Sequence, residues 1–112
     1  MASPYSPVYE AGEWRCVSGQ IGITADGLAD SFGEQTDAML ANFAALLREH
    51  GLEPAQVAKT TVFLSDMADY AELNERYAAF FGDHRPARSA VAVSELPFGA
   101  LIEMEAWVHV PG

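Results

Sequence analysis

The stretch LIEMEAWVH, residues 101–109, restricts the architecture more than any other part of the chain. Ile102, Met104, Ala106 and Val108 recur at every second position, with Leu101, Glu103, Glu105, Trp107 and His109 between them. Period two is the signature of an extended strand, whose successive side chains point to opposite faces. The first set suits a core. The second mixes two carboxylates with an indole and a leucine, too apolar for open water and too polar for a core. A strand of this kind belongs in a sheet that is packed on one face only. Its other face then suits a subunit interface that contains a polar pocket.

Two helices supply the packed side. Ser31 and Glu34 form an S-x-x-E capping box that predicts a helix start, with each side chain satisfying a free N–H of the first turn. Behind it Met39, Leu40, Phe43, Leu46 and Leu47 fall on one apolar stripe, and Gly51 stops the helix. A second helix is predicted from Ala68 to Phe81, with Tyr70, Leu73, Tyr77 and Phe80/Phe81 on one side and Gly82 past its end. Pro54 to Val57 suggests a single helical turn.

The remaining segments read as strands and turns. Tyr5 to Ala11 and Glu13 to Gly19 form a hairpin about Gly12, and TADGLA (24–29) is a turn with Asp26-Gly27 at its tip. Lys59 to Ser65 (KTTVFLS) is β-branched and aromatic, as buried strands are. Ala87 to Val93 is a short strand after Pro86. Leu96 to Gly99 turns the chain into the last strand, Ala100 to Val110. The order β-β-α-β-α-β-β predicts an α+β fold, one sheet with two helices on one face.

Composition narrows the function classes. At 112 residues the chain has room for one core, so residues 1–112 are expected to form one domain. Sixteen acidic against 6 basic residues give a net charge of −10, which argues against binding nucleic-acid backbone or anionic membrane. The lone Cys16 excludes an intrachain disulfide and reads as a small buried hydrophobe. His50, His84 and His109 stand singly, without the spacing of metal ligands. No signal-peptide pattern or bilayer-spanning run is present, and a cytoplasmic protein is expected.

One residue resists the structural reading. Arg88 lies inside the strand after Pro86, where its side chain must reach water or meet an anion. Within that strand Arg88, Ala90 and Ala92 point one way and Ser89, Val91 and Val93 the other. The expectation is that Arg88 and Glu103 share the open face of the sheet. Taken singly, Arg88 suits an edge-strand surface residue, Tyr5 a packing aromatic, Ser18 turn chemistry and Asn74 an exposed helix face.

Together these residues resemble the RidA/YjgF family of reactive-intermediate deaminases. The match runs through PYSP (4–7), SGQIG (18–22), EQTDAMLANFAALL (34–47) and VAKTTVFLSDMADYAELNERYAAFF (57–81), then PARSAVAV (86–93), ELP (95–97) and IEMEA (102–106). The resemblance implies a chorismate-mutase-like fold, assembled as a homotrimer whose sheets form a central barrel with three clefts between subunits. It implies hydrolysis of enamines and imines such as 2-aminoacrylate or 2-iminobutyrate to 2-oxo acids and ammonia, without a cofactor. Carried over by motif, Arg88 is the carboxylate-binding arginine and Glu103 the glutamate that positions water. Tyr5, Ser18 and Asn74 fill the other polar pocket positions, and Gly19 belongs to the same wall. Ala90 stands where many members have a cysteine, which removes a thiol from the pocket wall and leaves extra room. Arg85 and Trp107 also depart from the family pattern and bear on side-chain preference. A pathway-specific imine hydrolase, or a carboxylate-binding or chaperone-like module without catalysis, are the alternative readings.

The chemistry fits those residue types. A guanidinium fork meets a carboxylate with two parallel charge-assisted hydrogen bonds. An ionised glutamate holds the attacking water. On this reading a nearby Arg88 favours the charged form of Glu103, and Glu105 opposes it. Glu105, about 7 Å further along the same strand face, is read as a structural partner for a cation. Two carboxylates so placed on one strand cannot flank a sugar, so glycoside hydrolysis is rejected.

Overall fold

The computed structural model describes residues 3–112. A hairpin of β1 (Val8–Ala11) and β2 (Trp14–Ile21) opens the chain, turning at Gly12, whose φ of 60° suits glycine. A two-residue loop at Ala25-Asp26 joins the small strands β3 (Ile23–Thr24) and β4 (Gly27–Leu28). Helix α1 (Phe32–Glu49) is followed by a 3₁₀ turn at Pro54–Gln56 and by β5 (Val57–Leu64). Helix α2 (Tyr70–Phe81), entered through a 3₁₀ turn at Met67–Asp69, leads to β6 (Ala87–Ala92). A last 3₁₀ turn, Pro97–Gly99, precedes β7 (Ile102–His109).

The main sheet has the order β1-β2-β7-β5-β6. β7 pairs antiparallel with β2 and β5, while β6 pairs parallel with β5, so the sheet is mixed. The α+β architecture read from the sequence is the one observed. Tyr5 lies outside β1, which begins after Pro7, a residue with no N–H to give to a ladder.

The predicted stripes are the packed ones. Met39, Phe43 and Leu47 of α1 and Leu73, Tyr77 and Phe81 of α2 join Val62, Leu64, Ile102, Met104 and Val108 in one core. The cap of α1 differs in one bond: Ser31 Oγ accepts from the Glu34 N–H at 3.1 Å as predicted. The Glu34 carboxylate, however, takes the Ser31 hydroxyl proton (3.0 Å) rather than a backbone N–H. A buried bond between Thr60 Oγ1 and the Tyr77 hydroxyl, 2.7 Å, ties α2 to β5.

The opposite face is unfinished. Trp107 and Trp14, 45% and 40% exposed, meet edge to face with ring centroids 6.4 Å apart, Tyr9 stands open next to them, and Val91 is open on the same face at the β6 edge. One backbone position is strained: Phe98 has φ 59° and is 82% exposed. The core makes one clear demand. Met104→Ala, in a position with no exposure, is expected to cost about 2–5 kcal/mol, measured by denaturant titration against the parent.

Candidate functional site

Strand register decides where the predicted residues stand. β6 and β5 pair with Arg88 opposite Thr60 and Ala90 opposite Val62. Thr60 and Val62 are fully buried under the helices, so Arg88 and Ala90 lie on the helix side of the sheet. Glu103 instead stands opposite Phe63, between the buried Ile102 and Met104, and therefore on the open side. The expectation that Arg88 and Glu103 share one face is corrected. Alternation fixes sides within a strand, but one residue of register exchanges them between strands.

The arginine half gathers on α2 and β6. Arg88 lies at the sheet edge, half-buried, with its Cζ 4.9 Å from the Tyr77 ring centroid and 5.5 Å from that of Tyr70. Its Nη2 donates to the Tyr70 hydroxyl at 3.1 Å. Arg15 and Arg76 are paired with carboxylates, whereas Arg88 has no carboxylate partner among the described residues. Asn74 and Arg88 line a hollow of about 250 Å³ with Tyr77, Phe81 and Arg85. Arg85 donates to the Gly82 carbonyl at its rim.

The glutamate half forms around an irregularity in β2. The register between β2 and β7 shifts between Val17 and Gln20, which takes Ser18 and Gly19 out of the regular ladder. The Ser18 hydroxyl donates to the Ser6 carbonyl at 2.7 Å, and its N–H donates to the Pro7 carbonyl at 2.9 Å. These two bonds hold the segment carrying Tyr5 beside the bulge. Tyr5, Ser18 and Gly19 share an open groove of about 520 Å³ with Ile21 and Asn42. The Glu103 carboxylate lies directly over Gly19, where any β-carbon would collide with it. A side chain at 19 would displace the carboxylate from this position.

Burial, and after it the Glu105 carboxylate, push the Glu103 pKa above the ordinary glutamate range. Arg88 plays no part in that shift within one chain, contrary to the expectation from sequence. Glu105 likewise has no ion-pair partner among the described residues. Nor do three His, Cys, Asp or Glu side chains come together there in a way that could hold a metal ion. Tyr70 and Tyr77 were legible only as members of an apolar stripe, since nothing in helical spacing shows that their rings flank an arginine from another element.

Known proteins resemble the chain over nearly its whole length. The family model described as Endoribonuclease L-PSP matches residues 1–110. A RutC family protein of Pyrococcus abyssi is 43% identical over 106 residues, covering 92% of this chain and 84% of the relative. The 2-iminobutanoate/2-iminopropanoate deaminase of Salmonella typhimurium is 37% identical over 108 residues, with 92% and 84% covered. The crystal structure of a putative endoribonuclease from Thermotoga maritima superposes with a TM-score of 0.92 at 41% identity, covering 98% of this chain and 89% of that one.

The raised proton affinity of Glu103 has a stability consequence. The folded chain holds this proton more tightly than the unfolded one, so its stability falls as the pH rises from the ordinary glutamate range through the raised pKa. Glu103→Gln removes that dependence. Denaturant midpoints of parent and variant, measured from about pH 4 to 8, should diverge with rising pH in favour of the variant. A partner's Arg88 brought beside Glu103 would reverse the slope, so the expected divergence is read at a chain concentration that keeps the subunits apart.

Proposed function

Since the chain belongs to the Endoribonuclease L-PSP family, the family of the RidA, YjgF and RutC proteins, we propose that it hydrolyses small 2-imino and enamine acids. The products are 2-oxo acids and ammonia, and the clefts lie between the subunits of a homotrimer. One observation carries this reading: Arg88 with Asn74, and Glu103 with Tyr5, Ser18 and Gly19, stand on opposite sides of one sheet. No single chain assembles both halves. The exposed Trp14, Trp107 and Val91 supply an apolar face for a second copy to cover.

In the composite cleft Arg88 holds the substrate carboxylate through its fork, which fixes the imine carbon in place. An enamine first gains a proton at its terminal carbon and becomes the protonated imine. Water attacks the C=N carbon as that bond's electron pair moves to nitrogen, and the Glu103 carboxylate takes the water's proton. The resulting carbinolamine collapses when its hydroxyl proton is lost and the protonated nitrogen leaves as ammonia. A carboxyl whose pKa is raised by burial suits both steps, because it accepts a proton from water more readily than an ordinary glutamate and can return it to nitrogen. Ala90, two residues beyond Arg88 on the same side, leaves space beside the clamp for a substrate side chain.

Single variants test the roles, and mixing them tests the geometry. Glu103→Gln is expected to lower imine hydrolysis about 10²-fold while still binding a 2-oxo acid. Arg88→Lys is expected to weaken that binding by about 1.5–3 kcal/mol, because an ammonium cannot reproduce the fork. When the two variants are unfolded together and reassembled in equal amounts, about a quarter of the clefts combine an intact Arg88 from one chain with an intact Glu103 from another. Ammonia release from 2-iminobutyrate should recover in proportion. Activity that stays at the level of the separate variants would place both residues in a cleft of one chain and sink the composite site. Near-parental turnover by Glu103→Gln alone would favour the binding-module reading.

A further inference from the structure

The contact between Tyr70 and Arg88 goes beyond a stacked ring. A guanidinium has only donors, so in the 3.1 Å bond the Tyr70 oxygen accepts from Nη2 and its own O–H is left to point elsewhere. Among the described residues no acceptor takes that proton. Tyr77 differs in this respect. Its ring also lies against Arg88, but its hydroxyl is committed to Thr60 in the core. Tyr70 is 39% exposed at the first turn of α2, so its O–H is reachable from solvent. Accepting a hydrogen bond from a cation polarises a phenol and makes its proton a better donor.

We infer that Tyr70 is a third donor of the carboxylate-binding set, its hydroxyl held by Arg88 and donating to an oxygen of the anion that Arg88 clamps. The inference rests on the proposed role of Arg88 and adds to it a residue read from the sequence only as part of an apolar stripe. The Arg88 N–H on the edge that Tyr70 shares and the Tyr70 O–H then converge on one carboxylate. Tyr77 keeps the guanidinium plane in place from behind, and Thr60 keeps Tyr77 in place.

Tyr70→Phe tests this, because it keeps the ring against Arg88 and removes only the oxygen. Calorimetric titration with 2-oxobutanoate is the direct probe. The parent is expected to bind, and the Phe variant to bind about tenfold more weakly, the usual scale for losing a hydrogen bond to a charged group. On 2-iminobutyrate the loss should appear in KM, with kcat within about twofold of the parent, because Glu103 is untouched. In an Arg88→Lys background the same Tyr70→Phe change should have a smaller effect, since the two groups act on one anion. Equal affinity of parent and Phe variant would overturn the role of Tyr70 while leaving that of Arg88 intact. So would a fall in kcat accompanied by a lowered thermal midpoint, which is the mark of a packing role. A parent that bound no 2-oxo acid would overturn the proposed function together with this inference.

Discussion

Parallel pairing of β6 with β5 governs the arrangement of this molecule. Helix α2 is the crossover that parallel pairing requires, and it returns the chain so that Arg88 falls opposite Thr60. Thr60 is fully buried and bonded to Tyr77, so the same register that seats α2 on the sheet also delivers the guanidinium to the helix side. The position of the cation is thereby a property of the core. A shift of one residue would carry Arg88 to the other face and place Ser89 under the helix.

Much of the fold was legible because it rests on local signals. The Ser31 cap, the Met39–Leu47 stripe and the alternation of 102–108 depend on neighbours three, four or two residues away; the stripe and the alternation stand as read, and the cap does but for the partner of the Glu34 carboxylate. Arg88 and Glu103 were legible as residues through their motifs, but their mutual placement was not. That placement depends on how two strands align across a third, and period-two patterning within each strand contains no information about it. The bulge at Ser18-Gly19 escaped notice for a related reason. It lies where β2 meets β7, a strand some eighty residues away in the chain, and the alternation within 13–19 carries no sign of it.

The polar groups fall into two sets with different physics. Around Arg88 the setting is aromatic, and stacking against Tyr77 and Tyr70 stabilises the cation without neutralising it. Around Glu103 no counter-ion is present among the described residues, and burial and Glu105 both oppose ionisation. Each set lacks what the other holds: an anion for the first, a cation for the second. Together they are the electrostatic counterpart of the apolar surface left open around Trp14 and Trp107.

Phe98 carries a consequence of another kind. A phenylalanine in the left-handed region sits where glycine or asparagine would be comfortable, at a cost of roughly 1–2 kcal/mol. With most of its surface in water it regains little of that through burial. Local preference and the fold disagree at this one position, while the cap, stripes and turns elsewhere agree with it. The loop into β7 is therefore a place where the lineage has conformational energy in reserve. Drift to glycine there would relax the backbone without disturbing the core, giving slack in which other, costlier substitutions could accumulate.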